Sequence, residues 1–311
     1  MSLEILQAGP QSTLQATSRN GMRHIGIPAS GAADPLSHAL GARLVGNDTS
    51  CASIEITYGP FEATFRCNAR ISLTGAISEA SVSDQPVAFH ETLTVGTGQT
   101  LKLGHPTAGL RTYVSVAGGF EGEVFASSPS TYLPAHLGGV DGRALKQGDM
   151  LAISEASAKG ADEMLKTPSE LRLPFTNAFA LRATPGPDLP ENEIEIWEQN
   201  FSATRRASRI GIELDGNFPA IESNRNLPSA GIFPGALQLP PQGRGFLLLP
   251  DCQTTGGYPH ILQVNRSDRH LMGQIRPGDS VMFLKRAPAE AAVDQKEKQE
   301  LLSSWMPEFR L

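Results

Sequence analysis

Cysteine is scarce in this chain, and what there is shows no pattern. Cys51, Cys67 and Cys252 are three among 311 residues, with no C-x-x-C spacing, which argues against a disulfide framework and a zinc knuckle. A reducing cytoplasm is the expected compartment. Clustered positive charge is missing too: no Lys/Arg run exceeds Arg205-Arg206 and the formal net charge is -6. That removes the electrostatic case for nucleic acid, which needs a basic face. No apolar stretch approaches the roughly 20 residues that span a bilayer, and residues 1–7 lack the basic and apolar regions of a leader, so no membrane association is expected. Matches to N-x-[ST] at Asn47, Asn200 and Asn265 are read as chance on that basis.

Familiar catalytic motifs are absent as well. The chain has no G-x-x-x-x-G-K-[ST] phosphate loop, no H-E-x-x-H and no G-x-S-x-G elbow, since Ser30 in Pro28-Ala29-Ser30-Gly31 lacks the first glycine. Gly96-Thr97-Gly98 is not continued into a dinucleotide fingerprint. Seven scattered histidines show no metal-ligand spacing, and no metal site is expected.

What is present is turn chemistry and short β-type runs. With 31 glycines and 23 prolines, runs such as 53–58, 70–73, 92–95, 100–103 and 111–116 recur between turn signals, and most alternate as half-buried strands do. The fold class is therefore mainly β, with a few short helices. Asp34-Pro35 reads as an N-cap and N1 proline opening a helix with Leu36, Leu40 and Leu44 on one face. A second helix is expected from Glu191 to about Gln199. A third follows Pro288, with Leu301, Leu302, Trp305 and Met306 available for docking.

Composition shifts between Ser154 and Pro174, giving an N-terminal β-barrel subdomain (1–154), a linker (155–174), a C-terminal barrel subdomain (175–287) and a helical tail (288–311). The halves echo each other. An apolar run leads to Gly118-Gly119-Phe120 in one and to Gly256-Gly257-Tyr258 in the other. The turns Lys146-Gln147-Gly148-Asp149 and Arg276-Pro277-Gly278-Asp279 then each enter an apolar strand, which suggests two related barrel units.

Four loops carry candidate chemistry. Residues 26–35, Gly-Ile-Pro-Ala-Ser-Gly-Ala-Ala-Asp-Pro, end at a helix N-terminus where an anion is favoured, although Asp34 as a plain cap explains the same residues. Ser130, Thr131 and Arg143 flank the glycine-rich stretch 137–143 and offer hydroxyls and a guanidinium for an amide or carboxylate. Asp251-Cys252-Gln253-Thr254-Thr255-Gly256-Gly257-Tyr258-Pro259 follows the buried run 246–249. There Asp251 suits a general base or an orienter, Gln253 and Thr254 suit donors to an amide or ureido group, and the glycines permit close approach. A sharp turn stabilised by Asp and Thr would use the same residues. Cys252 has no positioned base and reads as a small buried apolar residue. Arg276 sits in a tight turn that also explains it.

Taken in order, Gly-Ile-Pro-Ala-Ser-Gly-Ala-Ala-Asp-Pro (26–35), Leu-Val-Gly-Asn (44–47), Ile-Glu-Ile-Thr (54–57), Thr-Gly-Ala (74–76), Val-Ala-Gly-Gly-Phe (116–120), Ser-Thr-Tyr-Leu (130–133), Gln-Thr-Thr-Gly-Gly-Tyr-Pro (253–259) and Arg-Pro-Gly-Asp (276–279) resemble the allophanate hydrolase subunit 2 family, also called the biotin-dependent carboxyltransferase family. That family includes the C-type subunit of 5-oxoprolinase and the antagonist of a sporulation kinase inhibitor. The resemblance implies two cyclophilin-like β-barrel subdomains and a partner of the allophanate hydrolase subunit 1 type.

Three functions follow from it. The leading expectation is a hydrolase subunit of an ATP-dependent 5-oxoprolinase, active on a small cyclic amide with partner subunits and, in some systems, a lactam-utilisation protein. ATP would be bound at a site shared with those partners. The second is a carboxyltransferase component of a urea carboxylase or allophanate hydrolase system, with biotin on a separate carrier because this chain has no Met-Lys-Met attachment motif. The third is a non-enzymatic antagonist of a kinase inhibitor. The expected catalytic residues are Asp251, Gln253 and Thr254, and the expected substrate-binding residues are Arg19, Ser30, Ser130, Thr131, Arg143, Thr255, Gly256, Gly257, Tyr258 and Arg276. Departures from the family pattern at Ala16, Pro129 and Ser208 each remove a polar or charged group and point to an altered or lost activity.

Overall fold

The computed structural model describes residues 1–155, 164–172, 174–190, 195–219 and 227–311. The chain divides into two compact units, one made of Met1–Asn20 and Ser30–Phe175, the other of Gly21–Ala29 and Thr176–Leu311.

The first unit contains β1 (Ser2–Gln7), β2 (Gln11–Gln15), β3 (Ser53–Thr57), β4 (Phe61–Phe65), β5 (Ala69–Gly75), β6 (Ala80–Val82), β7 (Gln85–Pro86), β8 (Thr92–Val95), β9 (Thr100–Leu103), β10 (Arg111–Val116) and β11 (Met150–Ala152). Two sheets result, β11-β1-β4-β9-β6-β7 and β2-β3-β10-β5-β8. Inward positions of both supply one core, including Leu3, Ile5, Phe61, Phe65, Ile54, Leu73 and Val114.

Strand β10 is buried at every position rather than half-buried. The reason is α1 (Pro35–Leu44), which covers the polar face of its sheet. Ser72 Oγ donates to Gly41 O and Thr74 Oγ1 to Ser37 O, at 2.8 and 2.7 Å. A Cβ on Gly41 would lie 2.7 Å from Ser115 Oγ, so the helix can sit this close only because glycine is there. The helix starts as its sequence indicates, with Asp34 as N-cap accepting from Ser37 N at 2.9 Å. Residues 164–172 also pack on this unit: Thr167 and Leu171 are buried, and Thr167 N donates to His90 O.

The second unit holds β12 (Ala178–Pro185), β13 (Phe201–Ala207), β14 (Gly211–Asp215), β15 (Ala230–Gly231), β16 (Ala236–Gln238), β17 (Gly245–Leu248), β18 (Thr255–Gly256), β19 (His260–Val264) and β20 (Ser280–Lys285). Seven of these close a barrel in the order β12-β19-β16-β17-β14-β13-β20, while β15 and β18 form a separate ribbon. Alternation fills the barrel, with Phe179, Leu181 and Ala183 of β12 and Val281 and Phe283 of β20 pointing inward. Helix α2 (Arg269–Met272) is a single turn, and α3 (Pro288–Ser303) docks through Leu302 and the following Met306 and Leu311, whereas Leu301 stays exposed. Of the helix expected at 191–199, residues 191–194 lie outside the described residues. Glu195–Trp197 form one 3-10 turn.

The repeat read from the sequence has a structural counterpart. Lys146 N donates to Asp149 Oδ2 and Arg276 N to Asp279 Oδ2, each at 2.9 Å. Gly148 and Gly278 have φ of 89° and 93°. Each turn then exchanges the same pair of backbone bonds with a strand of its own unit, Gly148 and Asp149 with Ile5, Gly278 and Asp279 with Ala203. Matching side-chain, dihedral and ladder geometry marks these as one turn used twice.

Candidate functional site

Barrel register builds the site. Glu213 of β14 lies opposite Phe246 of β17, and Phe246 lies opposite Gln238 of β16. Directly opposed residues in antiparallel strands share a face. A carboxylate, a ring and a carboxamide therefore form one row, with Leu248 two residues along β17 on the same side. This row bounds a cavity of about 360 Å³ whose rim is completed by Arg206, Ile210, Arg244, Gln253 and Tyr258. That volume suits a small ligand.

Glu213 anchors the charge. It is buried, yet it accepts from Thr204 Oγ1 and Arg206 Nη1 at 2.8 Å and from Arg244 Nη1 at 3.2 Å. Burial alone would raise its pKa; the Thr204 hydrogen bond and the two guanidinium groups outweigh that and hold it below the usual carboxylate range. The carboxylate is ionised at neutral pH. Arg206 also lies over the Phe246 ring at 5.7 Å.

The loop 251–259 closes the other wall. Gln253 Nε2 donates to Gln238 Oε1 at 3.2 Å, and Gln238 Nε2 donates to Tyr258 O at 3.1 Å. β18 pairs with β15, Gly256 opposite Ala230, which fixes the loop's course. A Cβ on Gly256 would meet Gln238 Nε2 at 2.7 Å and Ile232 Cδ1 at 2.9 Å, so glycine lets the loop lie against the carboxamide. Gln253 retains its carbonyl oxygen and second N–H for a ligand.

Asp251 does not line this cavity. It is buried, accepting from Arg209 Nε at 2.8 Å and Arg209 Nη2 at 3.2 Å, while Asp251 N donates to Arg209 O. The fork ties the loop to the β13–β14 turn and orients it. Cys252 is fully buried with Ile232, Ala236 and Leu248. Burial pushes its thiol up to about 11 even though Arg23 pulls the other way, so it is no thiolate nucleophile at neutral pH.

The other expected residues fall in different places. Thr254 O accepts from Ile232 N, and Thr255 and Gly257 are exposed on the loop. Arg276 reaches Asn177 Oδ1 at 2.9 Å and Asp279 at 3.5 Å, within its turn. In the first unit Arg19, Ser130 and Thr131 come together: Arg19 Nη2 donates to Ser130 O, Ala16 N donates to Ser130 Oγ, and Thr131 Oγ1 donates to Leu14 O. All three are buried. Arg143 gives both arms of its fork to Asp149, at 2.7 and 2.9 Å. Ser30 has φ of 50° and a buried hydroxyl with no hydrogen bond. The anion seat before α1 is filled from within, because Asp34 accepts from both Ser37 N and Ser37 Oγ. Among the described residues no group of His, Cys, Asp and Glu is placed to hold a metal, and no helix is long and apolar enough to cross a membrane.

Sequence reading missed Glu213, Gln238, Arg206 and Arg244 as site residues. Arg205-Arg206 and Gly243-Arg244-Gly245 were visible, but only the barrel register shows that they converge.

The family profile for the carboxyltransferase domain, subdomain A and B, matches residues 25–285. The C-type subunit of 5-oxoprolinase from Escherichia coli is 33% identical over 301 residues, covering 96% of this chain and 95% of that protein. Urea amidolyase of Saccharomyces cerevisiae is 27% identical over 96% of this chain but only 17% of its own length. The crystal structure of Kluyveromyces lactis urea carboxylase superposes with a TM-score of 0.91 at 24% identity, covering 98% of this chain and 29% of that one, a likeness of fold.

Proposed function

The chain belongs to the carboxyltransferase domain family, and from that premise we propose that it is the C-type subunit of a 5-oxoprolinase, opening 5-oxoproline to glutamate with partner subunits and ATP. The observation that carries this reading is the end-to-end likeness, 33% identity across 95% of the Escherichia coli protein of that name.

The cavity chemistry fits such a substrate. A lactam holds its amide cis, so its N–H and C=O lie on one edge; the Gln253 carboxamide has the complementary edge, one acceptor beside one donor. Arg206 and Arg244, each with donors beyond those given to Glu213, suit the substrate carboxylate. In this reading Glu213 serves as the anchor for both guanidinium groups, since three donors already occupy its oxygens. Asp251 positions the loop through Arg209, and Gly256 sets the depth of the amide wall.

ATP is assigned to the partner subunits. The small-residue loop leading into α1 is this chain's candidate phosphate cradle, and the Asp34 carboxylate fills that N-terminus and would repel a phosphate. That loop does not fit a triphosphate. A partner of the allophanate hydrolase subunit 1 type is the proposed carrier of the missing functions.

The test combines this chain with its sister subunit and a lactam-utilisation protein and measures glutamate with and without ATP. ATP-dependent glutamate is expected from the complete set only, and Gln253→Ala should reduce it roughly 10-fold or more, the worth of one lost charge-assisted or well-placed hydrogen bond. The family description and the shared fold favour a second reading, carboxyl transfer from a biotin carrier. Carboxyl transfer from carboxybiotin without glutamate would establish it. Silence in both assays with tight binding to a regulatory protein would establish an antagonist instead.

A further inference from the structure

Two cations in the second unit lack the counter-charge that their surroundings call for. Arg23 is half-buried, donates through Nη2 to Ile232 O and lies 4.9 Å over the Phe233 ring, but its Nη1 is buried with no hydrogen-bond partner. Arg269 is also half-buried. Its Nε donates to Val264 O at a long 3.4 Å and lies 3.2 Å from where a Cβ on Gly235 would be. Both guanidinium groups thus converge on the segment 232–235, whose Ile232 packs with the buried Cys252.

Neither arginine has a carboxylate partner among the described residues. The two acids nearest in sequence to this cluster are already engaged: Asp251 by the Arg209 fork, Asp268 by Arg182 at 2.5 Å. The Cys252 thiol shares a hydrogen bond with the Arg23 guanidinium but supplies no charge, because burial keeps it neutral. Burial first, and then the like charge of Arg266, lower the pKa of Arg269, with Cys252 opposing. Two more buried polar atoms without partners, Asn265 Nδ2 and Ser267 Oγ, lie on the turn that leads into Arg269. Partly desolvated like charges and unmet polar atoms in one place are costly unless something negative binds there.

We propose that Arg23 and Arg269 form a binding site for a small oxyanion, carboxylate or phosphate, seated against residues 232–235 beside Cys252. Neither Arg23 nor Arg269 lines the Arg206–Arg244 cavity, and the binding does not depend on the reaction assigned above. Guanidinium groups recognise carboxylate and phosphate through the same paired donors, so the two ligand sources share one chemistry.

Calorimetric titration of the full chain with inorganic phosphate, and separately with acetate, tests the site. With the carboxylate site proposed above removed by Arg206→Gln, a saturable site is expected for at least one of the anions, weakened roughly 10-fold or more by Arg23→Gln and by Arg269→Gln, one charge-assisted hydrogen bond each. The exposed Arg310→Gln should leave that binding unchanged. Saturable binding of acetate alone identifies a carboxylate ligand, and of phosphate alone a phosphate. If Arg23→Gln does not fold, Arg269→Gln decides. Absence of saturable binding for both anions, or binding equally tight in the Arg269 variant, overturns the proposal.

Discussion

Asp251 and Gln253 stand two residues apart and have opposite consequences when changed. Asp251→Asn removes the negative partner of a buried, two-pronged ion pair, which costs about 3–5 kcal/mol. Thermal denaturation should show a large loss of stability, while the folded fraction keeps ligand binding. Gln253 is exposed on the cavity rim. Gln253→Ala should shift stability by less than about 0.5 kcal/mol and act on turnover alone. Equal stability losses in the two variants would contradict this division. Gly256→Ala is intermediate: the atoms its Cβ meets are the ends of the Gln238 and Ile232 side chains, not backbone. Gln238 should swing away from Gln253, with turnover falling and stability nearly unchanged. Gln253 was legible in the sequence because polar groups and glycines clustered after an apolar run. Gln238 and Glu213 were not, since a single polar residue in a short strand looks like any solvent-facing position until register places it.

At the scale of elements, the two Gly-Asp turns make a symmetrical case. Gly148 and Gly278 hold φ near 90° in open space, so Gly148→Ala and Gly278→Ala meet backbone strain and no clash. Each should cost roughly 1–2 kcal/mol. Markedly unequal losses in chemical denaturation would argue against one turn used twice. Elements also carry the pH response of the second unit. His270 of α2 is buried, and its pKa is lowered to about 3, by burial first and then by Lys298 of α3, with Asp268 opposing and Arg182 reinforcing. An unfolded histidine binds a proton near pH 6.5, so between about pH 6.5 and 3 the unfolded chain holds the extra proton and stability falls as pH falls. The full effect is on the order of 5 kcal/mol. Trp197 and Trp305, the chain's 2 tryptophans, both belong to the second unit, so their fluorescence in urea follows it. His270→Phe should flatten the slope from pH 6.5 downward; an unchanged slope would show that another group titrates.

At the scale of the whole molecule, the β class, the capped first helix and the repeated turns were readable because each rests on local chemistry. The ownership of residues 21–29 was not. That segment lies within the first unit's stretch of sequence but belongs with the second, and its contacts are made with residues about 200 positions away, such as the Arg23 bond to Ile232 O. Nothing in a local pattern reports so long a closure. The consequence is testable with fragments. Residues 176–311 alone lack the Arg23 guanidinium over Phe233 and its bond to the 232 carbonyl, leaving the floor beside Cys252 uncovered. Cys252 is the only cysteine of that fragment, so its rate of alkylation reads the exposure directly. A fragment with residues 21–29 appended through a flexible linker should melt several degrees higher, as roughly 1 kcal/mol does for a domain of this size, and its Cys252 should react more slowly. Equal melting and equal alkylation of the two fragments would mean that residues 21–29 contribute nothing to the fold of the second unit.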